Sequence, residues 1–507
     1  MRQPSTYAVT SWLFLRLLGV VYLLAFWSLA TQILGLVGHD GILPARLYMD
    51  GARAFVGAEH IGADRFRLLP TLCWLGTSDL FLRALCLAGA AFASLLIAGI
   101  APALVLALLW VDYLSLSVVG RDFLSFQWDA LLLEAGFLAI FIAPLGFRER
   151  LRTAVDPPRL AVWLLLWLLC RLMVGSGAVK LASGDPTWHG LTALRVHFET
   201  QPLPTPLAWY AHRLPFWLSK TSTAAVMAIE LTAPFLMLGP RRLRVVGFAW
   251  LVGLQTLIAL TGNYAFFNLL TVALCVFLLD DATLKRCVLF RAERPIGPES
   301  HSESVGAVHS RGRRALVAGV AIVTLPVSMF VFTGSLGVEL PGSSLVAPLD
   351  SFVGPFRSVN RYGLFAIMTT TRPEIVVEGS EDGRAWLPYE FKYKPGDLGR
   401  RPPWVAPHQP RLDWQMWFAA LGGYEAAPWF QSFCLRLLDG SPEVLGLIER
   451  DPFHGRPPLY IRGVLYSYQF PDALTHRDRG VWWTRERIGE YSPVLSLRAR
   501  YNPPADE

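Results

Sequence analysis

Charge is what this sequence has least of. Asp, Glu, Lys and Arg make up 17% of its 507 residues, against about 25% in an average soluble chain. So few charges exclude a solvated surface over most of the chain and point to a bilayer as the surrounding solvent. The formal charge of +7 does not indicate a nucleic-acid partner, because the arginines lie largely between apolar runs, where they set membrane topology. Cysteine patterning is also absent: Cys73, Cys86, Cys170, Cys275, Cys287 and Cys434 form no C-x-x-C pair, and several sit inside apolar runs. A disulfide framework, a zinc site and a thioredoxin-like motif are thereby excluded. The chain has no G-x-x-x-x-G-K-[ST], no G-x-S-x-G and no H-E-x-x-H. Phosphate cradling, a nucleophile elbow and a zincin helix lack support, and no metal or cofactor is expected.

Long hydrophobic runs are what the chain has instead. At about 20 apolar residues per span, about nine candidates stand out, near 12–36, 80–99, 102–119, 123–145, 160–182, 222–239, 245–262, 264–280 and 314–334. The first run exceeds a signal-peptide core and is read as a retained span. Between it and the second, Gly41 to Pro70 mixes Arg46, Arg53, Arg65 and Arg67 with apolar residues and is expected to lie partly along the interface. Basic clusters follow the fourth span (Arg148, Arg150, Arg152), the sixth (Arg241, Arg242, Arg244) and the eighth (Lys285, Arg286, Arg291, Arg294, Arg311, Arg313, Arg314). With the N-terminus inside, all three fall on the cytoplasmic side. Residues 1–334 then form a multi-pass α-helical membrane bundle, interrupted by a polar linker at 285–313, and residues 335–507 form a β-rich, sandwich-like domain outside the membrane. Within that domain, Pro373 to Phe391 contains an Asp-Gly turn signal between two β-prone runs. Leu459 to Phe470 and Val481 to Arg487 read as further strands, and Trp414 to Leu421 as a short helix.

Polar residues inside spans mark the candidate site. An ionisable group at membrane depth costs roughly 2.5 to 3.5 kcal/mol on insertion scales and normally faces a partner or a wet cavity. The fifth span carries Arg171 and Lys180 before a break at Gly184, Asp185 and Pro186 and an aromatic anchor, Trp188. The fourth carries Asp129 and Glu134, and the sixth Glu230. Helical rise places Asp129 at the depth of Lys180, and Glu134 at that of Arg171 and Glu230. Two readings stand: an intramembrane network that only locks the bundle, or an outward-facing cavity in which Lys180 serves as general base, with Asp129 or Asp185 setting its pKa. In the following loop, His189, His197 and Glu199 lie near Trp188 without metal-ligand spacing. Trp404, Trp414, Trp417 and Trp429 mark either an adaptable surface for a client protein or a domain core or seam.

The stretches FQWDALLLEAGFLAIF, SGAVKLASGDPTWHGLTAL, HFETQPLPTPLAWYAH, NYAFFNLLTVALC, VNRYGLFAIMTTTRPEIVVEGSEDG, PYEFKYKPGD and RRPPWVAPHQPRLDWQMWFAAL together resemble the lipase maturation factor family. The resemblance implies a multi-pass membrane protein, resident in the endoplasmic reticulum in eukaryotes, that assists the folding of newly made lipases. Exported lipase clients are the expected partners, besides the bilayer. The sequence has no N-x-[ST] sequon, and its Pro-Ala-Asp-Glu end is not a retention tetrapeptide. A bacterial inner-membrane member with a periplasmic C-terminal domain is therefore expected. Locally, Lys180 to Trp188 is similar to the stretch bearing the base lysine of vitamin K-dependent gamma-glutamyl carboxylase, which implies a rival function as a membrane enzyme acting on a lipid or quinone.

Overall fold

The structure, a computed structural model, describes residues 6–287, 303–339 and 341–497. Every apolar run of the sequence is helical. Among the described residues seven helices are long and apolar enough to cross a membrane: Ala8–Ala30 (α1), Asp79–Ala98 (α2), Pro102–Leu124 (α3), Arg159–Ala182 (α5), Phe216–Leu238 (α6), Arg241–Thr261 (α7) and Arg311–Ser335 (α9). The other two runs give shorter helices, Gln127–Ile140 (α4) and Phe267–Leu278 (α8). At 1.5 Å per residue α4 reaches only about 21 Å into a hydrocarbon core about 30 Å thick. A helix that stops at mid-depth is tolerated only where protein surrounds its open end. Both short helices meet that condition, since most of their residues are buried.

The first helix ends earlier than its apolar run. Ala30 is followed by a turn and a separate short helix, Ile33–Val37, which turns Gln32 toward the C-terminal domain. Ala45–Ala58 is an amphipathic helix with Leu47 and Phe55 exposed, as expected for an element lying in the interface. Of the expected linker at 285–313, residues 288–302 lie outside the described residues, and from Glu303 the chain is already in the helix that becomes α9.

The basic clusters converge at one end of the bundle. There Arg16 pairs with Glu149, Arg241 with Asp280, and Arg313 donates to the Phe141 and Ala143 carbonyls. Asp281 receives the amides of Ala8 and Thr10. The C-terminal domain covers the other end. Its main sheet is antiparallel, with the order β2 (Leu387–Pro388), β1 (Arg372–Ser380), β5 (Tyr460–Gln469), β6 (Thr484–Glu490); β3 (Glu390–Phe391) and β4 (Ile448–Arg450) form a separate ribbon. The expected hairpin is present: Glu378 pairs with Pro388 and Gly379 with Leu387. Its turn is held by Asp382, which accepts from the Arg384 and Ala385 amides, and by Gly383 at φ +73°. Helices Arg411–Leu421 (α10) and Pro428–Leu438 (α11) pack on β1 and β5. The domain is thus a sheet backed by helices, because the Trp- and Phe-rich stretch after Pro410 has a helical rather than an alternating apolar period.

The two parts share one seam, and the polar residues of the bundle are built into it. Arg411, fully buried, makes a bidentate pair with Asp129 at 2.9 and 2.8 Å and also donates to the Phe123 carbonyl. The Tyr113 hydroxyl donates to the same carboxylate at 2.5 Å. The Asp129–Lys180 pair expected from helical depth is therefore replaced by a pair with the C-terminal domain. Nearby, Gln32 accepts the Arg411 amide and donates to the Gln409 carbonyl at 2.7 Å. Asn263, at the far end of α7, accepts the Val405 and Ala406 amides and donates to the Pro403 carbonyl. Arg372, also buried, donates to the carbonyls of Glu199 and Pro202.

Removing one member of a buried pair leaves a charge without compensation and typically costs about 3–5 kcal/mol. Arg411→Ala is expected to lose stability on that scale and to make the C-terminal domain protease-sensitive in membranes. A double-mutant cycle with Asp129→Asn should show that most of the two losses is shared; simple additivity would mean that the pair does not join the two parts.

Candidate functional site

Glu134 lies near the middle of α4 and is fully buried. Arg171 of α5 pairs with one of its oxygens, as the matching depths led one to expect. The other oxygen is taken by the C-terminal segment: it accepts from the Asn360 amide at 2.9 Å, the Asn360 side chain at 3.2 Å and the Tyr362 hydroxyl at 2.8 Å. Arg171 in turn donates to the Asn360 carbonyl at 3.2 Å. Two glycines permit this close passage. A Cβ on Gly175 would sit 3.0 Å from the Tyr362 carbonyl oxygen, and one on Gly363 would sit 2.8 Å from Val179. Asn360, Tyr362, Arg372 and Arg411 are partners that sequence reasoning missed. Their signal was present only as polar residues within the distinctive C-terminal motifs, more than 160 residues from the groups they bind.

The helix break after α5 has a local cause. Asp185 caps the Pro186–His189 turn, accepting from the Thr187 amide at 2.7 Å and the Trp188 amide at 3.4 Å, and its second oxygen accepts the Met368 amide at 2.8 Å. Burial pushes this carboxyl up, but the hydrogen bonds from Thr187, Met368 and Trp188 outweigh it and hold the group below the usual carboxylate range. Asp185 is thus a capping and docking residue, its oxygens taken by Thr187, Trp188 and Met368. Trp188 is buried and donates to the Phe365 carbonyl at 3.0 Å. Glu199 accepts the Phe470 amide at 2.6 Å. His189 is exposed, and no group of three metal-ligating side chains occurs among the described residues.

Lys180 is what remains of the intramembrane network. It is buried, with its ammonium 2.6 Å from both oxygens of Glu230 on α6 and 4.9 Å from the Trp188 ring centroid. Glu230 therefore fills the place foreseen for Asp129 or Asp185. The pair lines a cavity of about 590 Å³ between α5, α6 and α7, together with His197, Tyr264, Gln255 and many apolar side chains. His197 lies 2.9 Å from the Tyr264 hydroxyl. Burial, aided by the charge of Lys180, pushes its imidazole down to about 3.

The four tryptophans separate into two groups. Trp414, Trp417 and Trp429 are buried in the seam: Trp414 meets Trp128 edge-on at 4.7 Å, Trp417 donates to the Thr200 carbonyl at 2.9 Å, and Trp429 meets Phe123 at 5.6 Å. Trp404 alone of the four is exposed, at 54%. A free client surface made of all four is not what the geometry offers. The physical reason is that large rings flanking a helix are most stable where two apolar faces meet. Trp414 and Trp417 do line the floor of an open cleft of about 530 Å³, bordered by the exposed Ile367, Phe418 and Leu421.

This arrangement coincides with what known proteins share with the chain. The family model described as "Lipase maturation factor transmembrane domain" matches residues 9–286 and that described as "Lipase maturation factor C-terminal domain" matches residues 358–493. The chain belongs to the lipase maturation factor family. It is similar to lipase maturation factor 2 of Gallus gallus, 39% identical over 96% of this chain and 81% of that protein. Similarity to lipase maturation factor 2 of Homo sapiens is 38% over 96% of this chain and 82% of the relative. Lipase maturation factor 1 of Bos taurus is 36% identical over 97% of this chain and 90% of the relative. No solved structure matches the chain significantly. As a multi-pass membrane member of this family, it carries the two family regions on the two sides of the seam described above.

A neutral, half-buried His197 ties stability to pH. The unfolded chain takes up a proton near the ordinary histidine value of 6.5, which the folded site refuses until about 3. The contribution is therefore complete above pH 6.5 and is lost as pH falls from there toward 3. His197→Gln is expected to flatten part of the acid slope of thermal stability in this window, and an unchanged slope would contradict the assignment.

Proposed function

We propose that this chain is a membrane-embedded maturation factor for exported proteins, lipases among them, with its C-terminal domain held rigidly against the outer face of the bundle. The observation that carries this reading is the seam: the charges expected to perform chemistry are mostly committed to fixing that domain in place. Membership of a family whose relatives bear the name lipase maturation factor supports lipases as clients. The clustered arginines at the opposite end support a cytoplasmic location for that end. The C-terminal domain then lies in the periplasm of a bacterial inner membrane, or in the lumen for eukaryotic relatives.

Client contact falls to the open cleft and to Trp404. Exposed apolar residues gathered around a seam suit transient binding of a partly folded chain, and Ile367, Phe418 and Leu421 stand there beside Trp417. Trp404→Ala combined with Ile367→Ser and Phe418→Ser is expected to lower secreted lipase activity severalfold in a deletion strain at unchanged level of the factor. Undiminished lipase activity would remove the cleft from the account.

The rival reading, Lys180 as general base, is weakened by Glu230, whose two oxygens both lie 2.6 Å from the Lys180 ammonium. Guanidinium keeps an ion pair but does not give up its proton. Lys180→Arg is therefore expected to restore exported lipase activity as wild type does. Accumulation of Lys180→Arg at wild-type level without rescue would instead make chemistry at Lys180 the leading account.

A further inference from the structure

The Lys180–Glu230 cavity has features of a ligand site that the maturation role does not use. Its volume, about 590 Å³, lies within the range of roughly 300–1,000 Å³ typical of small-molecule sites. Its walls are mostly apolar side chains of α5, α6 and α7, with Lys180, Glu230, His197, Tyr264, Gln255 and Asn268 among the polar residues that line it. Two of the lining residues on α7, Trp250 and Leu257, are 47% and 63% exposed, so the helix that forms the wall also faces the bilayer. Between them Gly253 lines the cavity with nothing within 4 Å of where its Cβ would stand. That gap lies on the exposed face of α7, beside Trp250 and Leu257.

The polar lining selects by charge. Lys180 and Glu230 are the ionised residues lining the cavity, and at 2.6 Å they neutralise each other. A fatty acid carboxylate or a phosphate would enter with no charge left to meet it, at a high desolvation cost. Hydroxyl and ester groups find better company. The Tyr264 hydroxyl and His197 Nε2 lie 2.9 Å apart in the cavity lining, and the same hydroxyl donates to Gln201. We propose that this cavity binds one neutral acylglycerol drawn from the bilayer, with its acyl chain among the apolar walls of α5, α6 and α7 and its hydroxyl or ester groups beside His197 and Tyr264. Such binding is independent of the client role proposed above.

The test uses the full chain in phosphatidylcholine nanodiscs with a diacylglycerol carrying a photoactivatable group on its acyl chain. Labelled peptides are expected to map to α5, α6 and α7 around Met173, Ile229 and Ile258. Excess unlabelled diacylglycerol should suppress the labelling, whereas palmitate and phosphatidylglycerol should not. Gly253→Leu fills the gap, and leucine favours a helix over glycine; it is expected to lower labelling about tenfold, corresponding to about 1.4 kcal/mol. Ala225→Phe closes the same space from α6 and should act alike, so a folding defect in either variant does not decide the matter. Labelling spread evenly around the bundle, labelling undiminished in both variants, or stronger competition by palmitate or phosphatidylglycerol would each overturn the proposal.

Discussion

The Arg411–Asp129 pair belongs to neither half of the protein alone. Each group on its own would be a buried charge of the kind that costs several kcal/mol to desolvate, and each is covered almost completely once the halves meet. The geometry is of the type that makes such a pair worthwhile: two parallel N–H···O contacts, a tyrosine hydroxyl on the carboxylate and a backbone carbonyl on the guanidinium. The fold is consequently conditional. The bundle tolerates Asp129 because the C-terminal domain arrives with Arg411, and the domain tolerates Arg411 because the bundle waits with Asp129.

The same logic extends along the rest of the seam. Glu134 is compensated by Arg171 within the bundle and completed by Asn360 and Tyr362 from outside it. Asp185 ends one helical turn and captures Met368, while Arg372 returns the exchange by binding carbonyls of the outer loop. The short helices α4 and α8 follow from this design. Neither needs to cross the bilayer: α4 presents Gln127, Asp129 and Glu134 to the seam, α8 pairs Asn268 with Gln255 of α7, and most residues of both are buried. A domain fixed at this many points holds its cleft at a constant position relative to the bundle.

Much of this was legible in the sequence, for reasons that differ by element. The helices were written in hydrophobic runs whose length is a matter of bilayer thickness, and the Asp382–Gly383 hairpin in turn chemistry. The Glu134–Arg171 pair followed from helical rise alone. Helical rise failed for Asp129 because depth fixes a shell of candidates and not the azimuth, and the true partner came from outside the bundle. The tryptophans stayed undecided for a related reason: aromatic enrichment reads alike for a binding surface and a buried seam, and only packing separates Trp404 from Trp414, Trp417 and Trp429. The run lengths at 123–145 and 264–280 overstated two helices because apolar letters continue through the turns that end them.

The central claim, that the buried charges of the bundle exist to hold the C-terminal segment, is tested most directly by amide exchange across residues 358–370. The amides of Asn360, Gly363 and Met368 donate to Glu134, Gln127 and Asp185 side chains, so their protection reports the seam and no regular secondary structure. Hydrogen–deuterium exchange of the membrane-embedded protein should find this segment protected in the wild type and freely exchanging in Glu134→Gln, with the bundle helices unchanged. Rapid exchange of the segment already in the wild type, or protection that survives the loss of the carboxylate, would contradict the account.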